Sequence, residues 1–199
     1  MTKHRSEIYN RIQPIVLCLS LFFSVGWLSA GQPLQAQDQI QATELRKGKS
    51  GLPIPRFVSL KADKVNLRKG PGQDHRIIWV YRHAGLPVEV IGETDHWRRV
   101  RDAEGNDGWI YFSLLSGRRT ALIVPWSNLT AGNADKLDQN TPLRISRNNS
   151  SKVIALLEAG VVANINNCNG SWCNVSVDKF EGWIEQEKLW GVYRGESIN

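Results

Sequence analysis

The stretch VNLRKGPGQDHRIIWVYRHAG, residues 65–85, has a counterpart in TPLRISRNNSSKVIALLEAG, residues 141–160. Leu67-Arg68 falls on Leu143-Arg144, and the apolar run that follows is one residue shorter in the second copy. Working outward, Gly85 precedes Trp97 by twelve residues, and Gly160 precedes Trp172 by the same twelve. Gly108-Trp109-Ile110 recurs as Gly182-Trp183-Ile184, and nine residues after each leading glycine stands another, Gly117 and Gly191. Four landmarks in one order, with two single-residue shifts, mark an internal repeat. The chain holds two copies of one module of about 60 residues.

Each copy reads as short strands. VNLR, IIWVY, PVEVIG, WRRVR and GWIYFSLL in the first are separated by GPGQDH, HAG, ETDH and DAEGND. VIALL, VVANI, WCNVSV and GWIEQEKL form the second series. These segments are β-branched and aromatic, and Gly, Pro, Asn and Asp bound them. Helical periodicity is lacking after the leading segment, since LLEAGVV is cut by Gly160. The predicted class is all-β: two tandem small β-barrels, a form that closes its own edges. At the junction, LIVPW (122–126) is expected to supply the first strand of the second module. Side chains alternate across a strand. With Val100 inward, Trp97, Arg99 and Arg101 face outward; with Ile110 inward, so do Trp109 and Tyr111.

The first 36 residues have a different character. Lys3, Arg5 and Arg11 precede an uncharged run of 16 residues, Ile15 to Ala30, and small residues follow up to Ala36. That order is the layout of a secretory signal, with an uncleaved anchor as the competing reading. The run is short of the roughly 20 residues needed to span a bilayer. Residues 37–56 are polar with late Gly and Pro, and read as a flexible leader. The modules are placed at 57–119 and 120–193, with 194–199 as a tail. The protein is expected to be periplasmic or secreted, with no stable membrane span once the signal is cut. Without residues 1–36 the net charge falls from +6 to +4. Residues 57–119 hold 11 basic and 8 acidic residues, against 7 and 8 over 120–199. A mild basic excess favours an anionic surface but lacks the dense stripe of a nucleic-acid interface.

After the signal only Cys168 and Cys173 remain. Exported thiols pair, and Asn169-Gly170 between apolar flanks reads as a hairpin turn. Opposed strand residues lie within disulfide reach, so the pair is read as a structural disulfide. Two cysteines cannot complete a zinc site, and a redox motif needs two intervening residues, not four. In the repeat overlay Cys168 falls on Glu93 and Cys173 on Arg98. The first module is therefore expected to carry an exposed ion pair across the same hairpin, contributing about 0–1 kcal/mol.

Val65-Asn66-Leu67-Arg68, Gly70-Pro71-Gly72, Ala84-Gly85, Trp97 with Val100, and Gly108-Trp109-Ile110 together resemble the bacterial SH3-like (SH3b) family. The second copy departs at Thr141-Pro142 and Ser146-Arg147-Asn148, but keeps Leu143-Arg144, Gly160, Trp172 with Val175 and Gly182-Trp183-Ile184. The run Gly182 to Tyr193 resembles a subgroup of exported two-module proteins from alpha-proteobacteria. The resemblance implies a binding module of envelope proteins, often attached to cell-wall enzymes, with no activity of its own.

Three functions follow from these residues. The first is recognition of peptidoglycan or a wall peptide by Trp97, Arg99, Arg101, Trp109 and Tyr111, with aromatic faces packing on the ligand. Against it stands plain barrel packing, a reading that weighs more heavily still for Trp79 and Trp126. The second is a scaffolding part that binds an envelope protein through the same surface. The third, an enzyme, lacks its parts. His75, His83 and His96 lie in or beside turns, both late cysteines are paired, and no nucleophile, metal or phosphate motif occurs. No metal or cofactor is expected.

Overall fold

The computed structural model describes residues 46–124 and 140–199. It begins with a small hairpin, β1 (Arg46–Lys47) against β2 (Pro53–Ile54). The first module then runs through β3 (Arg56–Leu60), β4 (Val65–Arg68), β5 (Ile77–Tyr81), β6 (Pro87–Glu93), β7 (Trp97–Arg101), β8 (Asp107–Tyr111) and β9 (Leu115–Ser116). The second repeats the series as β10 (Thr120–Ile123), β11 (Asn140–Arg144), β12 (Val153–Glu158), β13 (Val162–Asn169), β14 (Trp172–Val177), β15 (Phe180–Glu185) and β16 (Leu189–Trp190). A last strand, β17 (Ser197–Ile198), pairs with β13. No α-helix occurs among the described residues, so none there is long and apolar enough to cross a membrane.

The two sheets have the same topology. Strand order is β5-β4-β8-β7-β6-β3-β9 in one and β12-β11-β15-β14-β13-β10-β16 in the other, antiparallel throughout. The repeat read in the sequence is therefore a repeat of architecture, with two tandem SH3-like β modules. Its landmarks have physical causes. Gly85 and Gly160 both adopt positive φ, +83° and +86°, where a side chain would be strained. Each donates its N–H to the end of its module's first strand, Leu60 or Ile123. GWIYFSLL and GWIEQEKL, read as single strands, each break into a strand and a 3-10 turn, at Phe112–Leu114 and Gln186–Lys188. Each turn is pinned by a backbone bond, Phe112 N–H to His96 O and Gln186 N–H to Ser171 O.

Each module has its own core. Leu60, Val65, Leu67, Val88, Val90, Val100 and Ile110 fill the first; Ile123, Leu143, Ala163, Val175, Ile184 and Leu189 fill the second. The disulfide Cys168–Cys173 sits in that second core, its Cα atoms 4.1 Å apart and directly paired in the β13–β14 hairpin. It closes a small loop, which puts its entropic contribution at the low end for such bonds. Replacing both cysteines with alanine is expected to cost about 2 kcal/mol, read as a lower urea midpoint with an unchanged slope.

Several expectations need correction. The flexible leader does not extend to residue 56. From Arg46 the chain is the β1–β2 hairpin, and Ser50 in its turn donates both its N–H and its hydroxyl to Glu93. The expected exposed ion pair is in fact buried. Glu93 and Arg98 do oppose each other in the β6–β7 register, but the Glu93 side chain is 0% exposed and that of Arg98 11%. The hairpin covers them. The tail at 194–199 is also structure: β17 extends the sheet, and Glu196 is ion-paired with Arg119 at 2.8 Å. The strand expected from LIVPW begins earlier, at Thr120, and covers Leu122 and Ile123; Pro125 and Trp126 lie outside the described residues.

The modules meet along a buried seam. Thr120 Oγ1 donates to Gly85 O at 2.6 Å and lies 2.8 Å from Ser59 Oγ, which donates to Arg118 O. Both side chains are buried, so the hydrogen bonds meet a need that burial would otherwise leave unmet. Beside them Phe57 packs on Trp190 and Tyr193 with ring centroids 5.2 and 4.7 Å away.

Candidate functional site

The β7–β8 hairpin positions the residues singled out from the sequence. Val100 and Ile110 point into the core and are fully buried. Alternation then turns Trp97, Arg99, Arg101, Trp109 and Tyr111 to the opposite face. Register sets Trp97 across from Tyr111, Arg99 across from Trp109, and Arg101 across from Asp107.

The five share that face, but only Trp97 and Tyr111 line a groove. Trp97 and Tyr111 come together edge to face, 5.4 Å between centroids. With Arg68, Gln73, Ser113 and Leu114 they line a groove of about 180 Å³. Arg68 holds the neighbouring 69–76 loop by donating to Gln73 O and His75 O. His96 and Phe112 flank Tyr111, at 6.2 and 5.1 Å. His96 lies exposed in the bend between β6 and β7, where its ring neighbours those of Tyr111 and Phe112.

The two arginines are held by carboxylates. Arg99 forks onto both oxygens of Asp107 at 3.0 Å. Arg101 donates through Nε to the buried Glu89 at 3.0 Å. Glu89 also accepts from the Tyr193 hydroxyl at 3.0 Å. Burial, then the Glu89 charge, pushes the Tyr193 phenol upward. Arg101 therefore takes part in the contact between modules.

Sequence reasoning misplaced one residue and missed a second groove. Trp79, assigned to packing, is 56% exposed on the end strand β5. It lines a cleft of about 430 Å³ with Tyr81, Leu86, Asp102 and Leu122. The Tyr81 hydroxyl donates to the buried Asp102 at 3.0 Å. Burial first, and that carboxylate second, raise the Tyr81 phenol. The missed groove, about 610 Å³, lies in the second module and is lined by Trp172, Glu185, Gln186, Glu187, Asn149 and Arg194 among others. The repeat alignment could have found it, because Trp172 is the counterpart of Trp97 and Asn149 of Gln73. Among the described residues no three His, Cys, Asp or Glu side chains cluster in a way that could hold a metal.

The profile of the bacterial SH3 domain matches residues 61–117 and 138–191. Among solved structures, NlpC2 from Trichomonas vaginalis is similar at 14% identity, covering 68% of this chain and 48% of that one, with a TM-score of 0.29. NlpC1 from Trichomonas vaginalis is similar at 14% identity over 74% and 49%, also with a TM-score of 0.29. This chain spans about half the length of either structure. No curated protein matches it.

Proposed function

The chain belongs to the bacterial SH3 domain family, and from that premise we propose that it is an exported, non-catalytic binding protein of the cell envelope that recognises peptidoglycan or a wall peptide. Domains of this family are often cell-wall binding modules. The observation that carries the reading is the outward pair Trp97 and Tyr111, set in a groove beside Arg68. Rigid aromatic faces with a few fixed polar groups suit a sugar or peptide. Export is read from residues 1–36, with a periplasmic or secreted destination, and the two-module arrangement fits the exported alpha-proteobacterial type. The layout proposed is signal, leader, two modules, with the leader ending where β1 begins.

A second reading, a scaffold for an envelope protein, draws on the end strands of the two sheets. Strands β5 and β12 carry the exposed apolar residues Ile77, Trp79, Val153 and Leu156. An end strand of this kind can accept an added strand from a partner.

Sedimentation of the chain with isolated sacculi separates the two. The wild type is expected to sediment and to be displaced by muropeptides. A Trp97→Ala, Tyr111→Ala variant with unchanged far-ultraviolet dichroism is expected to stay in solution. A wild type that never sediments removes the wall reading in favour of the protein partner.

A further inference from the structure

The two modules carry the same groove with different chemistry. In the β14–β15 hairpin Trp172 stands across from Glu185, as Trp97 stands across from Tyr111. Two residues further on, Glu187 takes the place of Ser113. An indole is kept, while a phenol and a hydroxyl become two carboxylates. The second groove is also larger, about 610 against 180 Å³, because Val192, Arg194 and Gly195 extend its wall. Counting Arg194, its charged lining is net negative.

Two further observations point to an occupant. The acidic residues Glu89, Glu93 and Asp107 of the first module are each paired with arginine, whereas Glu185 and Glu187 form no ion pair among the described residues. Gln186 lines the same cleft at 4% exposure. Its Nε2 donates to Tyr193 O and Glu196 O, both at 2.9 Å. Its Oε1 is buried and accepts nothing among the described residues, a state that carries a cost. An aromatic face and two carboxylates without an ion pair form a recognition set for a cation with N–H donors. Two carboxylates alone are too few for a hard divalent ion, which takes about six oxygen ligands.

We propose that the second groove binds a peptide side chain ending in a primary ammonium. The inference rests on the reading of the chain as a peptide-binding protein and names the ligand class of its second module. The ammonium sits against the Trp172 ring and between Glu185 and Glu187, and the peptide lies along the wall made by residues 192–195.

The test uses the full chain, isotope-labelled, with the Trp172 and Trp97 indole N–H resonances assigned. The probe is a terminally blocked tetrapeptide with one lysine, beside the same peptide with that lysine Nε-acetylated. The lysine peptide is expected to shift Trp172 saturably. Acetylation, or the Glu185→Gln, Glu187→Gln variant, is expected to weaken binding about tenfold, and added salt should weaken it too. Equal binding of both peptides, or a response at Trp97 alone, overturns the assignment. Sacculi are assayed in parallel. If they still sediment the wild type while Trp172 ignores the lysine peptide, the groove assignment falls and the wall reading stands. If Trp172 responds but sacculi bind nothing, the groove stands and the wall reading falls.

Discussion

Replacing Glu93 with alanine is expected to cost about 3–5 kcal/mol, the range for removing one member of a buried ion pair. The Glu93 carboxylate is fully enclosed and receives four groups. Arg56 Nη2 reaches it at 2.5 Å, Arg98 Nε at 3.1 Å, Ser50 N–H at 2.8 Å and Ser50 Oγ at 3.0 Å. Removing it leaves two guanidinium groups, 18% and 11% exposed, facing each other without a counter-charge. It also unties the turn between β1 and β2. Burial by itself would raise the carboxyl, but the bonds from Ser50 and Arg56 outweigh it and hold Glu93 below the usual carboxylate range. With the folded value depressed, the stabilisation is full above the ordinary carboxylate range and is lost as pH falls through the folded value. The alanine variant should therefore show a weaker loss of stability on acidification than the wild type, measured by thermal melting over an acid series. A second variant tests the geometry. Glu93 and Arg98 occupy the register that Cys168 and Cys173 occupy in the other module. Glu93→Cys, Arg98→Cys is expected to form a disulfide and to recover part of the loss under oxidising conditions only. An alanine variant that melts with the wild type at neutral pH would mean that the hairpin is not anchored by this carboxylate.

The exchange of an ion pair for a disulfide was legible because register, once fixed by Trp97 on Trp172, assigns every other pair in the hairpin. Burial was not legible. Nothing about Glu93 in the sequence says that Ser50, 43 residues earlier, folds back over it. The same reason explains the tail, since Glu196 and β17 gain their role only from Arg119 and β13 across the fold. Alternation placed Trp97, Trp109 and Tyr111 outward, because Val100 and Ile110 left no choice. It could not tell that Arg99 and Arg101 were spoken for by Asp107 and Glu89. Trp79 failed for a related reason. An aromatic in an apolar run looks like core, yet β5 ends its sheet, and its outer face has no neighbouring strand. The charge contrast between the grooves was present in the alignment, but acquires meaning only when Glu185 is seen across from Trp172.

Gly182→Ala is expected to cost about 3 kcal/mol, the upper end for overpacking, and Gly108→Ala a similar amount. A Cβ at Gly182 would lie 2.6 Å from Arg144 O and 2.9 Å from Leu143 Cγ; at Gly108 it would lie 2.7 Å from both Arg68 O and Leu67 Cγ. The obstacle is backbone, which cannot rotate away. It also lies where β11 meets β15 and β4 meets β8, each through one registered pair, Arg144 with Trp183 and Arg68 with Trp109. Pushing these strands apart loosens β12 and β5, which join their sheets only through β11 and β4. The last glycine of the repeat gives the contrast. A Cβ at Gly117 meets nothing within 4 Å, so Gly117→Ala should stay within about 0.5 kcal/mol of wild type. Its counterpart Gly191 has φ +126° and lies against the Thr120 carbonyl, so Gly191→Ala is expected to destabilise clearly. Urea midpoints for the four variants decide the matter. If Gly108 and Gly182 behave like Gly117, the Gly-Trp-Ile landmark is not there for strand approach. If they behave like Gly191, the landmark that marked the repeat is the point at which each module's two halves are joined.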